Sequence, residues 1–507
     1  MMSGSSSINP PSSGPAAYDV AVIGCGVSGA NIARRLSMYR ISTAVLEKGA
    51  DVSFGTSKAN SGIVHGGFHH NGKYLKARLE LQGNLMFDRL RRELDFPFKR
   101  CGIIVAALHD DEMKAVEHLF MQGVENGVIG LELCSRDRIL ELEPKLSPDT
   151  VGGLYAPGGG IVEPYRFVFA LVESALNNGV KLYTGYKVSA AEWDGEGGGD
   201  SGGGRRGRWT IHAGDGRAIR ARYAVNAAGL YADEVSRIFA AEDFTISARK
   251  GEYFLLDRLT RARPDRVVFP VPTPVSKGML VIPTVEGTVL VGPTADSAEK
   301  TDFGTTMERL EQILASGKKM IPSLSRNDVI TSFAGLRPCL EEDFYIKASK
   351  KAPALVQVAG IQSPGLTASP AIGEYVKDIL KDMGLELIEK PGWVPLVKRR
   401  RRSRELSFFE LDELIAADPA WGNMVCRCEK VSEAEIREAV RQGHHTLDGI
   451  KYFTRAQMGR CQGGFCTYKI IKIIMDESGL SWDAVTKHGG TSRVLAADLS
   501  GPADGVL

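Results

Sequence analysis

The sequence predicts an α/β protein: a Rossmann-like nucleotide-binding domain with an inserted antiparallel-sheet substrate domain, followed by a small, mainly helical C-terminal module. Three observations predict it. Tyr18 to Ile23 is an apolar strand running into Gly24-Cys25-Gly26-Val27-Ser28-Gly29, an apolar-periodic helix, and a second strand closed by Glu47. From Arg249 to Pro293 the pattern changes to short alternating strands broken by Pro and Gly turns. The last hundred residues gather four of the eight cysteines into two pairs within helical periodicity.

The first unit is a dinucleotide fingerprint. Its glycines permit a tight turn and let backbone approach a pyrophosphate, whose charge rests on unpaired N–H groups at the helix N-terminus. Glu47, 18 residues after Gly29, is placed to accept hydrogen bonds from a ribose diol. The motif alone does not separate FAD from NAD.

Composition sets bounds. A chain of 507 residues accommodates two or three domains. Lys+Arg of 63 against Asp+Glu of 61 leaves a net charge of +2, which gives no preference for nucleic acid. The first 17 residues are Ser-, Pro- and Gly-rich, without Lys, Arg or an apolar run, and read as a disordered tail. No apolar run approaches the roughly 18 residues that span a bilayer. A cytoplasmic protein without direct membrane insertion is expected. Cys25, Cys101, Cys134 and Cys339 read as core residues or free thiols.

In chain order, Thr56 to His70 is a Gly/Ser/His-rich loop joining two regular elements, with His65, His69 and His70 supplying a third of the chain's nine histidines. Loops of this kind line sites. A helix is expected over 75–94, a strand over 101–107, helices over 110–126, 135–142 and 166–177, and strands over 181–193 and 208–213 flanking a flexible glycine-rich insertion at 195–207. Tyr223 to Ala232 and Leu355 to Pro370 each repeat strand, small-residue turn and helix. Ser332 to Pro338 carries Arg337 among apolar and small residues. Six basic residues in the seven from Lys398 to Arg404, preceded by Pro391 and Pro395, read as a solvated linker over 391–420. The domain is thus expected over 18–390, the cysteine module over 421–480, and a tail over 481–507.

The module's cysteines are Cys426-Arg427-Cys428 and, after 32 residues, Cys461-Gln462-Gly463-Gly464-Phe465-Cys466. Three readings compete. Disulfides are disfavoured without a secretory signal, and structural zinc favours wider spacing than C-x-C. Four thiolates on a 2Fe-2S cluster fit the softness, the number and the compartment. Ser432 and Glu435 form a capping box, and helices are expected through Gln442, over 446–453, and from Cys466 to Asp476.

With these residues in hand, the chain resembles the D-amino-acid-oxidase-like flavoprotein family joined to a 2Fe-2S domain of the bacterioferritin-associated-ferredoxin type, the pairing found in anaerobic glycerol-3-phosphate dehydrogenases. Cys426-Arg427-Cys428-Glu429 and Met458-Gly459-Arg460-Cys461-Gln462-Gly463 carry that likeness. Asn60 to Gly67, Arg249 to Tyr253 and Ser363 to Ser369 look more like the L-2-hydroxyglutarate oxidases, and His69-His70 stands where glycerol-3-phosphate dehydrogenases commonly carry Arg-Tyr.

The resemblance implies an FAD-dependent dehydrogenase of a small anionic alcohol, sn-glycerol 3-phosphate or an L-2-hydroxy acid, passing hydride to flavin N5 and then single electrons to the cluster. It implies a dedicated electron-acceptor protein or reductase subunit. Cys426, Cys428, Cys461 and Cys466 would hold the metal. Expected FAD contacts are Gly24, Gly26, Gly29, Glu47 and Lys48; Ser57, Asn60, Ser61 and Gly62; Ala228 and Gly229; and Gly360, Gly365, Leu366 and Thr367. His65, then His69, are candidates for base or oxyanion partner. Arg337 would hold the substrate anion, with Arg249, Lys250 and Tyr253 assisting. An amine or imino-acid oxidase, or an electron-transfer subunit without turnover, are the alternatives from other classes.

Overall fold

The computed structural model describes residues 15–195, 207–272 and 278–494. Its first sheet has a parallel core in the spatial order Lys181–Tyr183, Thr43–Leu46, Ala16–Ile23, Ala218–Asn226 and Leu355–Ala359. These strands read as continuous apolar runs because helices cover them; Val20, Ala21 and Val22 are completely buried. Ala16 and Ala17, placed in the tail by the sequence reading, pair with Ile219 and Arg220 and so begin the central strand. Residues 1–14 of that tail, 196–206 of the glycine-rich insertion and the end of the chain from 495 lie outside the described residues.

The strand expected over 181–193 is two. Lys181–Tyr183 joins the sheet edge at Thr43–Leu46, whereas Val188–Trp193 pairs antiparallel with Trp209–Ala213 at the opposite side. The turn at Gly185, which has a positive φ of 62°, divides them.

The second sheet has nine strands and is not a simple insertion. Its order is Asp296–Ala298, Ser247–Leu256, Val289–Gly292, Leu280–Pro283, Val267–Pro270, Ile103–Ala107, Gly152–Ala156 and Glu132–Ser135, with Val329–Cys339 paired to Ser247–Leu256. Three separate stretches of chain build it. The pairing of Val267–Pro270 with Ile103–Ala107 is parallel, so the sheet is mixed. Local alternation shows a strand's faces but carries no information about a partner some 160 residues away.

Helices Val27–Leu36, Leu75–Glu93, Pro164–Asn177 and Gly365–Asp382 pack together on the first sheet. The C-terminal module consists of a short hairpin, Met424–Cys426 with Val431–Ser432, and helices Glu433–Arg441, Leu447–Thr454 and Thr467–Ser478. The expected capping box is formed: Ser432 Oγ accepts from Glu435 N, and the Glu435 carboxylate accepts from Ser432 N. The module continues past residue 480. Val485 is buried, and Leu447 and Asp448 donate backbone hydrogen bonds to Thr486 and Lys487.

The module shares one apolar core with the nucleotide domain. Phe169 lies 5.7 Å from Phe453, and His444 Nδ1 lies 2.7 Å from Asp51 Oδ2. The basic segment lies in the seam, which corrects the expectation of a solvated linker. Arg400 pairs with Glu173 at 2.5 Å, Arg402 with Asp95 at 2.5 Å, and Arg404 with Glu286 and Glu429. Alternate residues of an extended chain point the same way, so three of the arginines turn inward onto acids supplied by remote elements.

Candidate functional site: a cleft and four thiols

A cleft of about 920 Å³ opens between the two sheets. One end is the glycine turn. Gly24 has φ +99°, and a Cβ on Gly29 would stand 2.0 Å from the Gly24 carbonyl oxygen, so helix Val27–Leu36 can start here only with glycine at both positions. The turn presents Gly26, Val27 and Ser28 to the cleft. Ser57, reaching in from the histidine-rich loop, accepts a hydrogen bond from Val27 N at 2.9 Å. Glu47 also lines the cleft, its carboxylate accepting from Cys25 N and Gly49 N at 2.7 Å each. Lys48 stands 3.1 Å over the Tyr231 ring, and burial lowers its pKa.

Asn60, Ser61, Ala228, Gly229, Gly365 and Leu366 line the cleft as expected. Four expected contacts stand behind its wall instead: Gly29, packed on the Gly24 carbonyl, and three others. Gly62 packs its Cα on the Val162 carbonyl, Gly360 packs on Leu340, and Thr367 Oγ1 accepts from His65 N at 2.9 Å and donates to Ile63 O. Thr367 therefore bolts the histidine loop to helix Gly365–Asp382.

His65 is buried at the cleft wall. Asn84 Nδ2 donates to its carbonyl at 2.6 Å, its Nε2 lies 3.5 Å from Ser363 Oγ, and its ring meets Phe269 edge-on. His69 and His70 also line the cleft, their rings 5.5 Å apart. Opposite, the strand pair Ser247–Leu256 and Val329–Cys339 sets Arg249 directly across from Arg337 and Tyr253 across from Phe333. Arg249, Tyr253 and Arg337 face the cleft. Both terminal nitrogens of Arg337 lie 3.4 Å from Thr294 O, and Tyr253 stacks on Phe333 with centroids 4.9 Å apart. Burial raises the Tyr253 phenol's pKa, while the Arg337 guanidinium and Ser61 oppose that shift.

Lys250 is not part of this site. The period of two sends it to the other face, where Nζ pairs with Asp302 Oδ2 at 2.7 Å and Gly304 O at 3.1 Å. The Asp302 pairing raises its pKa. The sequence reading also missed cleft residues: Phe54, and Lys76 on the first turn of Leu75–Glu93. Nothing local marks Lys76, whose position reads as an ordinary helical surface.

The four cysteines of the module are free thiols. Cys426 Sγ lies 3.8 Å from Cys428 Sγ, which lies 3.9 Å from Cys461 Sγ. Gly459 makes room for them, because a Cβ there would fall 2.4 Å from Cys428 Sγ. Backbone N–H groups are aimed at the sulfurs: Gln457 and Glu429 at Cys426, Phe465 and Gly463 at Cys461. The Cys461 thiol lies below its ordinary range because those amides outweigh its burial, whereas burial and neighbouring Cys426 push Cys428 up. Among the described residues no group of His, Cys, Asp or Glu is placed as ligands of one isolated metal ion.

Beside these thiols lies a buried charge network absent from the sequence reading. Arg455 Nε is 3.0 Å from Glu429 Oε2, and its Nη1 meets Glu163 and the Tyr165 hydroxyl, the latter at 2.8 Å. Arg258 Nη2 completes the network 2.6 Å from Glu429 Oε1.

Residues 19–379 match the model of the FAD-dependent oxidoreductase family DAO. The chain belongs to this family. It binds FAD, and residues 424–476 match the BFD-like [2Fe-2S] binding domain, placing all four thiols inside a cluster-binding module. A glycerol 3-phosphate dehydrogenase of Caloramator mitchellensis is 40% identical over 482 residues, 94% of this chain and 98% of that protein. The L-2-hydroxyglutarate dehydrogenase of Arabidopsis thaliana is 27% identical, covering 71% of this chain and 82% of that protein. Among solved structures, the dithionite-reduced L-alpha-glycerophosphate oxidase of Mycoplasma pneumoniae with FAD bound superposes with a TM-score of 0.70 at 29% identity, covering 76% of this chain and 99% of that one.

The residues fit both groups of this family member. Gly24 and Gly29 let the turn close tightly on the Ala227 and Gly24 carbonyls, and so bring Gly26, Val27 and Ser28, at the start of the helix, to the cleft, where their backbone amides suit a pyrophosphate. Soft thiols, the space above Gly459 and converging amides suit a thiolate-ligated cluster. Among the described residues no helix is long and apolar enough to cross a membrane.

Proposed function

We propose that this chain oxidises sn-glycerol 3-phosphate at its secondary hydroxyl to the corresponding keto phosphate. The observation that carries this reading is the pair Arg249 and Arg337, set opposite each other on adjacent antiparallel strands and both facing the FAD cleft. Two guanidiniums on one side of a cleft favour a compact dianion, and the planar fork of each matches phosphate oxygens. Likeness to a glycerol 3-phosphate dehydrogenase over 94% of the chain supports the same substrate.

Bound FAD supplies a two-electron acceptor and the 2Fe-2S cluster a one-electron acceptor. The chain's own residues do the rest. Arg337 and Arg249 hold the phosphate, with Tyr253, stacked on Phe333, on the cleft wall beside them. His65 takes the hydroxyl proton at Nε2, its backbone fixed by Thr367 and Asn84 on either side, and His69 is the second candidate for this role. Cys426, Cys428, Cys461 and Cys466 would hold that cluster, which would supply an exit for electrons toward a separate acceptor protein. All eight cysteines are free thiols, which suits a reducing compartment, and we place the enzyme in the cytoplasm.

A second reading, an L-2-hydroxy-acid dehydrogenase, is favoured by His69-His70 on the cleft wall and by the likeness to L-2-hydroxyglutarate dehydrogenase. Anaerobic titration of the holoenzyme separates the readings. Bleaching of the flavin absorbance by sn-glycerol 3-phosphate is the expected result. Bleaching by L-2-hydroxyglutarate alone would replace it with the second reading, and bleaching by amines alone would overturn both.

A further inference from the structure

The cluster module is electrostatically two-faced. Its acids are engaged: toward the rest of the chain Glu429 meets Arg258 and Glu438 meets Arg400, and within the module Glu429 also meets Arg455 while Glu433 and Glu477 meet Arg437. Around the thiols the balance reverses. No Asp or Glu occurs between Asp448 and Asp476. Arg427, Lys430, Lys469 and Lys472 are exposed, and among the described residues none of the four pairs with a carboxylate.

The same face holds the accessible edge of the cluster site. Cys426 and Cys466 are each 1% exposed, whereas Cys428 and Cys461 are only partly covered. Arg427 lies between two ligands, and Phe465, 78% exposed, lies in the loop joining the other two. Helix Thr467–Ser478 buries Ile470, Ile471, Ile473 and Ile474 and turns Tyr468, Lys469 and Lys472 outward. Tyr468 is 64% exposed and rests against Trp482, with ring centroids 5.6 Å apart. Large exposed aromatics beside unpaired cations, at the open edge of a redox centre, have the composition of a protein contact: an apolar anchor with charges that steer.

We propose that Phe465, Tyr468, Lys469 and Lys472, with Arg427 and Lys430 at their margin, form the docking face for a small electron-carrier protein whose own one-electron centre is ringed by Asp and Glu. The cations speed encounter with an acidic rim, and the aromatics bring the two centres close enough for transfer. The inference rests on the reading that electrons leave through the module, and it is independent of which alcohol supplies them.

The test uses holoenzyme carrying FAD and cluster, reduced with dithionite and desalted anaerobically, so that failure of the substrate assignment cannot affect it. The probes are ferric cytochrome c, which is basic around its haem edge, and succinylated cytochrome c, which has the same haem within an acidic rim. Each transfer takes one electron from the reduced enzyme and converts one ferric haem to ferrous. At low ionic strength the acidic probe should be reduced about tenfold faster or more, and the difference should collapse at high salt. In Lys469→Glu/Lys472→Glu the order of the two probes should reverse, while iron content and substrate bleaching of the flavin stay unchanged. Phe465→Ser should slow the acidic probe without altering its salt dependence. Calorimetric titration of oxidised enzyme with oxidised acidic probe should show binding that the charge-reversed variant loses. Equal rates for the two probes, or rates indifferent to the double variant, would overturn the proposal. Tighter binding to phosphatidylserine vesicles than to the acidic probe would overturn it in favour of a lipid surface.

Discussion

The two cofactor sites are built in opposite ways. The FAD cleft takes its walls from stretches as distant as Gly24 and Leu366, each contributing one strand end, turn or helix start. The cluster site draws all four thiols from Cys426 to Cys466, but the module is held in place by remote partners, Glu163 and Arg258 among them. The first site is assembled by topology, so single side chains can be exchanged while its shape persists. The second is local in chemistry and long-range in orientation, so one wrong atom empties it and one lost charge sets it adrift.

The largest expected effect breaks the local half of this contrast. In Gly459→Val the new side chain would occupy the space of Cys428 Sγ, and the purified protein should lack cluster iron while retaining FAD and substrate bleaching. Cluster retained at full occupancy would show that the module rearranges freely. Arg455→Met tests the long-range half. It leaves Glu163 and Glu429 buried without their shared cation, and chemical unfolding should report a loss of about 3–5 kcal/mol. A loss within error of zero would mean that packing alone seats the module.

The smallest effect separates neighbours on one strand of the cleft. Arg249→Ala should lower kcat/KM for glycerol phosphate by about 1.5–3 kcal/mol in transition-state binding, roughly 10- to 150-fold. Lys250→Met, on the opposite face with Asp302 and Glu252, should leave kcat/KM within about threefold and show instead as a loss of about 1–3 kcal/mol in stability, because the buried Glu252 loses a neighbouring cation. Equal losses in steady-state kinetics would refute the facing assigned to the strand.

These neighbours show where sequence reading stops. The glycine fingerprint, the capping box at Ser432 and the cysteine spacing were legible because each is encoded within a few residues. Lys250 was misplaced because the choice of which strand face meets the cleft is made by pairing with Val329–Cys339. The arginine run was misread for a related reason. A cluster of positive charge is ordinarily solvated, but Glu173, Asp95 and Glu286 come to meet Arg400, Arg402 and Arg404 from elements far back in the chain. Gly62 and Gly360 belonged to the right loops and Thr367 to the right helix start; whether such a residue touches the cleft or braces it depends on a backbone angle or a helix face that composition does not carry.

The shared core has a consequence for how the protein is made. The ribosome finishes helix Pro164–Asn177 long before Leu447–Thr454 exists, and at about 5–20 residues per second the wait runs to tens of seconds at the slower end. Until then Phe169, Asp51 and Tyr165 face water instead of Phe453, His444 and Arg455. The nascent nucleotide domain therefore carries a sticky, charged scar through most of its synthesis, and the last hundred residues act as its cover as well as the holder of the cluster.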